Sequence, residues 1–279
     1  MLKRVITGIV ALGILIPVLI FSDQFIFPAA VATIAAVAVF EMLKCLKMHK
    51  KLYLAIPAYI IAAVMPFLLR YINSYSISFT IGFIVAVFML FVVFVCVIWS
   101  HGKLPFADAM SAYVLIAYII IAMCSVVYVR DYSEAGRFTY LLIFFGAWMT
   151  DVFAYFTGVL FGRHKLIEDV SPKKTIEGSI GGIFFCTLSF VLIGLITNKF
   201  FDTNANYIFL GISGAIVSVV SQIGDLIMSV IKRHYGIKDY GKIFPGHGGV
   251  IDRFDSVLMV SLAMAAICMV SQLISVSLF

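Results

Sequence analysis

Five polar residues interrupt one apolar stretch at a regular interval. Ser218, Ser221, Asp225, Ser229 and Lys232 recur at steps of three or four, the spacing that lines side chains along one face of a helix. Gln222 flanks the stripe. A carboxylate near the middle of a membrane-spanning helix costs about 2.5–3.5 kcal/mol on insertion scales. Asp225 therefore needs a cation, a basic side chain or a water-filled cavity beside it. Asp151 poses the same problem in an earlier apolar run, nearer its end, with Tyr155 one turn on.

The segment that follows the stripe is richer still. It reads Ser229-Val-Ile-Lys232-Arg233, then Lys238-Asp239, then Pro245-Gly246-His247-Gly248-Gly249, then Asp252-Arg253-Phe254-Asp255. Lysine and arginine bind phosphate oxygens, arginine through a bidentate fork. Gly246, Gly248 and Gly249 can bring backbone N–H groups to an anion at little steric cost. Aspartates are hard oxygen ligands of the kind Mg²⁺ takes, one or two at a time, together with substrate phosphates. His247 is placed to donate to a phosphate or to orient a ligand. A second polar segment, Ser171-Pro172-Lys173-Lys174-Thr175 followed by Glu177-Gly178, lacks the glycine and lysine spacing of a P-loop. Its ammonium and hydroxyl groups still suit a triphosphate or a lipid phosphate.

The elements that must position these groups are membrane helices. Of 279 residues, 63% are hydrophobic and 12% charged, against about 25% charged in a soluble domain. Nine apolar runs, at about 5–21, 25–43, 52–69, 79–99, 111–129, 139–161, 179–197, 206–231 and 256–277, each approach the ~20 residues a spanning helix needs. The runs are continuous rather than alternating, which argues against a membrane β-barrel. No small-residue cleavage site closely follows the first run, so it reads as a span rather than a signal peptide. The predicted fold is an all-α integral membrane protein of about nine spans, with its N-terminus in the cytosol and its C-terminus outside.

The net charge of +6 follows that topology. Sixteen of the twenty basic residues fall on inner segments; only Arg70, Arg130, Arg137 and Lys199 fall outside, as the positive-inside rule expects. The basic excess is thus attributed to topology and anionic lipid, and no nucleic-acid partner is expected. Cys45, Cys96, Cys124, Cys186 and Cys268 are scattered singly without metal-ligand spacing and read as small buried apolar residues. Residues 1–138 are expected to form a five-span scaffold of few polar groups. Its notable features are the basic loop Lys44–Lys51 and Asp108. Residues 139–279 are expected to form a four-span catalytic region with cytosolic loops 162–178 and 232–255. Gly158 with Gly162, Gly178 with Gly182, and Gly211 with Ala215 predict close helix–helix contacts.

The stretch Ser229–Asp255 resembles the signature of the phosphatidate cytidylyltransferase (CDP-diacylglycerol synthase) family. That signature runs Ser-x2-Lys-Arg, four residues, Lys-Asp, then Pro-x-His-Gly-Gly, an apolar pair and Asp-Arg-x-Asp. Each element is present. An upstream family pattern is matched by Asp151, Ala154-Tyr155, Gly158, Phe161-Gly162-Arg163 and Ser171-Pro172-Lys173-Lys174-Thr175. Val152 and Tyr240 stand where the family often has a hydroxyl residue. The resemblance implies transfer of CMP from CTP to phosphatidate with Mg²⁺, held by Asp225 and Asp252; two carboxylates could also hold a second cation. On this reading Lys232, Arg233, Lys238, Arg253, His247, Gly248 and Gly249 grip phosphates. Lys173, Lys174 and Thr175, with Ser171, close the site from the other loop. Ser221, Ser229, Asp239, Gly246 and Asp255 complete the substrate surface, and Asp151 supports the metal site from outside. The site would face the cytosol from the plasma membrane, and a homodimer is compatible with it.

Three other classes fit parts of the pattern. A CTP-dependent kinase of a lipid alcohol would release CDP rather than pyrophosphate. A transporter of an anionic substrate would use intramembrane acids but should show internal repeats, and none is evident. A non-catalytic scaffold leaves the acid-and-glycine cluster without a purpose.

Overall fold

A computed structural model describes residues 2–72, 74–168, 170–244, 246 and 248–279. Long helices follow one another along the chain: α1 (Leu2–Ile20), α2 (Ile26–Cys45), α3 (Leu52–Tyr71), α4 (Tyr75–Trp99) and α5 (Phe106–Asp131). A single turn, α6 (Gly136–Thr139), then leads into α7 (Leu141–Phe161). After it come a short hairpin of β1 (Lys165–Ile167) and β2 (Ser171–Thr175), then α8 (Ile176–Phe201), α9 (Tyr207–His234) and α10 (Ile251–Leu273). Each of the nine apolar runs falls mainly on helix, although the run 256–277 outlasts α10, which ends at Leu273. Among the described residues, eight helices are long and apolar enough to cross a bilayer. The chain is an all-α multi-pass membrane protein.

Its surface matches that solvent. Along α4, Phe79, Phe83, Phe91, Ile98 and Trp99 all stand exposed. A row of large apolar side chains on one helix is untenable in water and suited to hydrocarbon. Pro57 and Pro66 lie inside α3, an arrangement membrane helices tolerate better than soluble ones. All five cysteines are free thiols and buried, as small apolar residues should be.

The chain divides into two compact units. One comprises residues 1–127 and 235–253, the other 128–234 and 254–279. The first break falls between Val127 and Tyr128. The loop 235–253, expected within the C-terminal region, belongs instead to the unit built by the early helices. The physical reason is a side chain of α2, described below. In the first unit α2 packs along α3, and α3 along α4. In the second, α7, α8 and α9 form a mutually packed group.

Glycines set the closest of those approaches. A Cβ added to Gly178 on α8 would meet the Ala154 carbonyl oxygen of α7 at 2.6 Å, and one at Gly158 would meet Thr175 Oγ1 at 2.9 Å. Gly162 and Gly182 are similarly enclosed by Thr175 and by Thr150 with Ala154. Gly158, Gly178 and Gly182 lie where α7 meets α8, as their spacing predicts; Gly162, just past α7, packs on Thr175 of β2 instead. Gly211 is different: its neighbours Val191 and Thr187 stand at ordinary distance.

The segment 162–178, read from sequence as an open loop, contains the hairpin and the beginning of α8. The strands pair antiparallel, Lys165 with Thr175 and Ile167 with Ser171. Thr175 also caps α8, its side chain accepting from the Gly178 N–H at 3.1 Å. Such a cap satisfies one of the unpaired donors of the first turn. Glu177 fastens the other end of the hairpin. Its carboxylate accepts from the backbone N–H groups of Arg163 and His164 at 3.1 and 3.2 Å, and meets His164 Nδ1 at 2.7 Å.

Candidate active site

In the second unit the chemistry gathers where α7, β2, α9 and α10 supply charged side chains. The stripe on α9 forms as its spacing predicts, and it grades from dry to wet along the helix. Ser218 and Ser221 are fully buried, Asp225 and Ser229 partly so. Ser218 Oγ accepts from Thr150 Oγ1 of α7 at 3.0 Å. Ser221 Oγ is buried and makes no hydrogen bond among the described residues. Gln222 reaches the Ser179 carbonyl oxygen of α8 at 3.3 Å, tying α9 to α8 one turn before the acid. Gly224 lets α9 approach α10, since a Cβ there would meet Met259 Cβ at 2.7 Å.

Asp225 has the basic partner that a carboxylate within a span demands. Lys174 Nζ, projecting from β2, stands 2.6 Å from Asp225 Oδ2. Both side chains are about three-quarters buried, 25% and 27% exposed, and the Lys174 nitrogen itself is shielded from solvent. The ion pair is therefore short and weakly screened. Two more acids share its neighbourhood. Asp151 of α7 and Asp255 of α10 each lie within electrostatic range of Asp225 and of one another. Lys174 also acts on Asp151, and Lys232 on Asp255. Ser256 Oγ donates to Asp151 Oδ2 at 3.3 Å. Three carboxylates thus face two ammonium groups. The oxygens of this set suit a further cation or a cationic complex of an anion.

The remaining residues expected in this unit are arranged less tightly. Lys173 is exposed on β2 and Ser171 is half-buried at its start. Thr175 spends its acceptor on the cap of α8. Lys232 and Arg233 sit in the last turn of α9, where cations are favoured by the helix dipole.

The first unit holds the other half of the signature, and its geometry is that of a folded backbone loop. Asp252 Oδ2 accepts from the backbone N–H of Tyr240 at 2.8 Å and of Gly249 at 2.9 Å. Phe244 and Gly248 exchange both backbone hydrogen bonds, 2.9 and 3.1 Å long. Gly246 and Gly248 have φ of +80° and +89°, the left-handed region open to glycine. The N–H groups of Gly248 and Gly249, expected to face an anion, are thus both donated within the chain. At Gly248 a Cβ would also crowd Asp252 Oδ2, at 2.8 Å. Lys238, Asp239, Gly246 and Arg253 present exposed surface. His247 lies outside the described residues.

One residue of this half was missed in the sequence. Glu41, near the end of α2, is only 1% exposed. Its Oε1 accepts from the Val250 N–H at 3.0 Å and its Oε2 from the Ile251 N–H at 2.9 Å. Gly241 and Gly249 both pack on its carboxylate so closely that any Cβ would overlap it. The early helices, expected to be a scaffold poor in polar groups, therefore send a buried acid into the signature loop. The available signal was a lone acid inside an apolar run, the same signal that singled out Asp225.

A model of the cytidylyltransferase family matches residues 2–271. This chain belongs to that family. The match spans both units, including the first five helices. Family members similar to this chain include proteins named phosphatidate cytidylyltransferase from three staphylococci. Those of Staphylococcus epidermidis (strain RP62A) and Staphylococcus aureus (strain COL) are each 34% identical to it, over 257 and 260 residues. That of Staphylococcus saprophyticus is 34% identical over 263 residues. In each case the match covers 92% of this chain and 95% of the relative. The family resemblance read from the signature holds over nearly the whole chain.

Proposed function

We propose that this protein transfers CMP from CTP to phosphatidate, giving CDP-diacylglycerol and pyrophosphate. The observation that carries the proposal is the acidic cluster of Asp151, Asp225 and Asp255, with Lys174 paired to Asp225, in a chain of this family. A phosphate oxygen of phosphatidate attacks the α-phosphorus of CTP in line. The bond from the α-phosphorus to its bridging oxygen breaks, and that oxygen leaves with pyrophosphate. The nucleophile already carries charge at pH 7, so no strong general base is required. The barrier lies in bringing two polyanions together, which makes positioning and charge neutralisation the main catalytic contributions.

Lys174, Lys232 and Arg233 supply positive charge near the acidic cluster, and the family resemblance implies Lys238 and Arg253 as further phosphate contacts. Lys173 and Ser171 line the approach on the hairpin. The nucleotide enters from the cytosol, and phosphatidate keeps its chains in the bilayer of the plasma membrane. Asp225 is the first candidate to hold Mg²⁺, with Asp252 as the second carboxylate the family resemblance implies. The donors fit that ion: all are hard oxygens, and Mg²⁺ takes one or two carboxylates with substrate phosphates and water completing its shell. It needs no all-protein cage, and among the described residues no three His, Cys, Asp or Glu side chains form one. When bound, Mg²⁺ supplies charge neutralisation at the CTP phosphates.

Purified protein in detergent, given radiolabelled CTP, should release pyrophosphate only when phosphatidate is present. Release of CDP instead would indicate a kinase. Absence of turnover in detergent, with phosphatidate movement in sealed vesicles, would indicate a transporter. Asp225→Asn should lower the rate at least a hundredfold and raise the Mg²⁺ concentration needed for half-maximal activity. Asp252→Asn should lower the rate similarly; because Asp252 also holds the loop, an unchanged Mg²⁺ requirement in that variant would remove it from the metal site.

A further inference from the structure

Glu41 is the one acid of α2, and its position is unusual in three respects. It is almost fully buried in an apolar helix. Both of its carboxylate oxygens are engaged by consecutive backbone N–H groups, those of Val250 and Ile251, more than 200 residues away in the chain. Those donors belong to the start of α10, where the first N–H groups of a helix have no partner within it. The carboxylate thus caps α10 from another helix, with the charge sign that a helix N-terminus favours. Hydrogen bonds to an ionised acceptor are about twice as strong as neutral ones, and here they are made out of contact with water.

The same carboxylate reaches further along the loop. Gly241 and Gly249 pack directly on it, with no room for a side chain. Asp252 lies within electrostatic range of it and secures Tyr240 and Gly249 through its own Oδ2. Glu41 and Asp252 therefore clamp the segment 240–252 from two sides: Glu41 holds its end and Asp252 its beginning. That segment lies between Lys238 and Arg253, two of the residues assigned above to phosphate. Glu41 is nowhere in the signature and bears no exposed surface with which to touch a substrate.

We propose that Glu41 is a positioning residue for the reaction, fixing the signature loop so that Lys238, Asp252 and Arg253 are presented in one arrangement. The proposal rests on reading that loop as part of the phosphate-binding surface. It also assigns a task to the early helices, which must carry Glu41 to the start of α10. A misplaced charge costs rate more than affinity, because neutralisation counts most in the transition state.

The test uses the full chain in lipid nanodiscs. Glu41→Gln keeps the volume and one acceptor oxygen but turns an NH₂ group toward the other backbone donor. Glu41→Ala removes both acceptors. Hydrogen–deuterium exchange, resolved to single residues, should quicken at least tenfold at Val250 or Ile251 in Glu41→Gln and at both in Glu41→Ala. The rest of α2 and α10 should stay protected. In Glu41→Gln, kcat for pyrophosphate release should fall at least tenfold, with KM for CTP changing less than threefold. Wild-type exchange at both amides in Glu41→Ala would overturn the proposal. So would faster exchange with kcat within twofold of wild type, a fall expressed mainly in KM, or protection lost throughout α2 and α10. If wild-type protein itself fails to turn over CTP and phosphatidate, the functional reading fails, and the exchange measurement still decides whether Glu41 holds the loop.

Discussion

Removing the Lys174 ammonium should cost more than removing the Asp225 carboxylate it faces, and the difference measures the cluster around them. At 2.6 Å, two unit charges attract by about 6 kcal/mol at an effective dielectric of about 20. Desolvation of both groups opposes that gain. Exposed pairs are worth about 0–1 kcal/mol, and breaking a buried pair by removing one partner costs about 3–5 kcal/mol. With each side chain about a quarter exposed, a coupling of about 1.5–3 kcal/mol is expected between those limits. Lys174→Met leaves Asp225 facing Asp151 and Asp255 with one ammonium fewer. Asp225→Asn strands the lysine but also relieves the repulsion among the acids. The single lysine substitution should therefore be the more destabilising, and Lys174→Met/Asp225→Asn should recover part of its loss. Reversible unfolding by SDS titration in mixed micelles reads all four corners of the cycle. Additivity within about 0.5 kcal/mol, or a larger cost for Asp225→Asn than for Lys174→Met, would refute this account.

Two further outcomes follow from the packing and the topology. Gly178→Ala places a Cβ 2.6 Å from the Ala154 carbonyl oxygen, so α7 and α8 must part; a loss of about 1–3 kcal/mol is expected in the same unfolding measurement, and a wild-type midpoint would show that the helices can yield. Cysteines placed singly at Lys103 and Lys238 should be labelled by a membrane-impermeant maleimide in inside-out vesicles and spared in intact cells. Labelling of either from outside the cell would reverse the assigned orientation.

The helices were legible because their signal is long. A run of twenty apolar residues is read without knowing its neighbours, and all nine runs fell mainly on helix. The stripe on α9 was legible for a related reason: its period of three and four survives in any helix. What stayed hidden was tertiary. The hairpin at 165–175 has strands of three and five residues, and the second, Ser-Pro-Lys-Lys-Thr, carries none of the apolar alternation that marks a strand. It is held by Glu177 and by pairing to β1, neither of which its composition announces. Glu41 was overlooked because a single acid close to the end of a span resembles a group reaching for the interface. Its partners are two backbone donors in another part of the chain, and backbone donors leave no mark in a sequence. For the same reason Gly248 and Gly249 suggested anion-binding N–H groups: the residue type predicts an accessible backbone but not which acceptor claims it.

The acids of this protein divide by what answers their charge. Glu41 and Asp252 accept from backbone N–H groups, donors that cannot leave without unfolding the loop. Glu41 commits its charge to shape, and Asp252 does so through Oδ2, the oxygen that takes both N–H groups. Asp225 is answered by an ammonium at the end of a flexible side chain, a partner that can withdraw by changing rotamer and that is itself suited to phosphate. The polyanion binding proposed above needs charges of the second kind. If the loop held by Glu41 and the exchangeable pair are separate, substitution of Asp225 should change the Mg²⁺ requirement and leave exchange at the loop amides as it was. Substitution of Glu41 should quicken that exchange and shift the Mg²⁺ requirement only through Asp252, which the loop presents. An Asp225 variant that also quickened exchange at the loop amides would show that the two sets of carboxylates act as a single network.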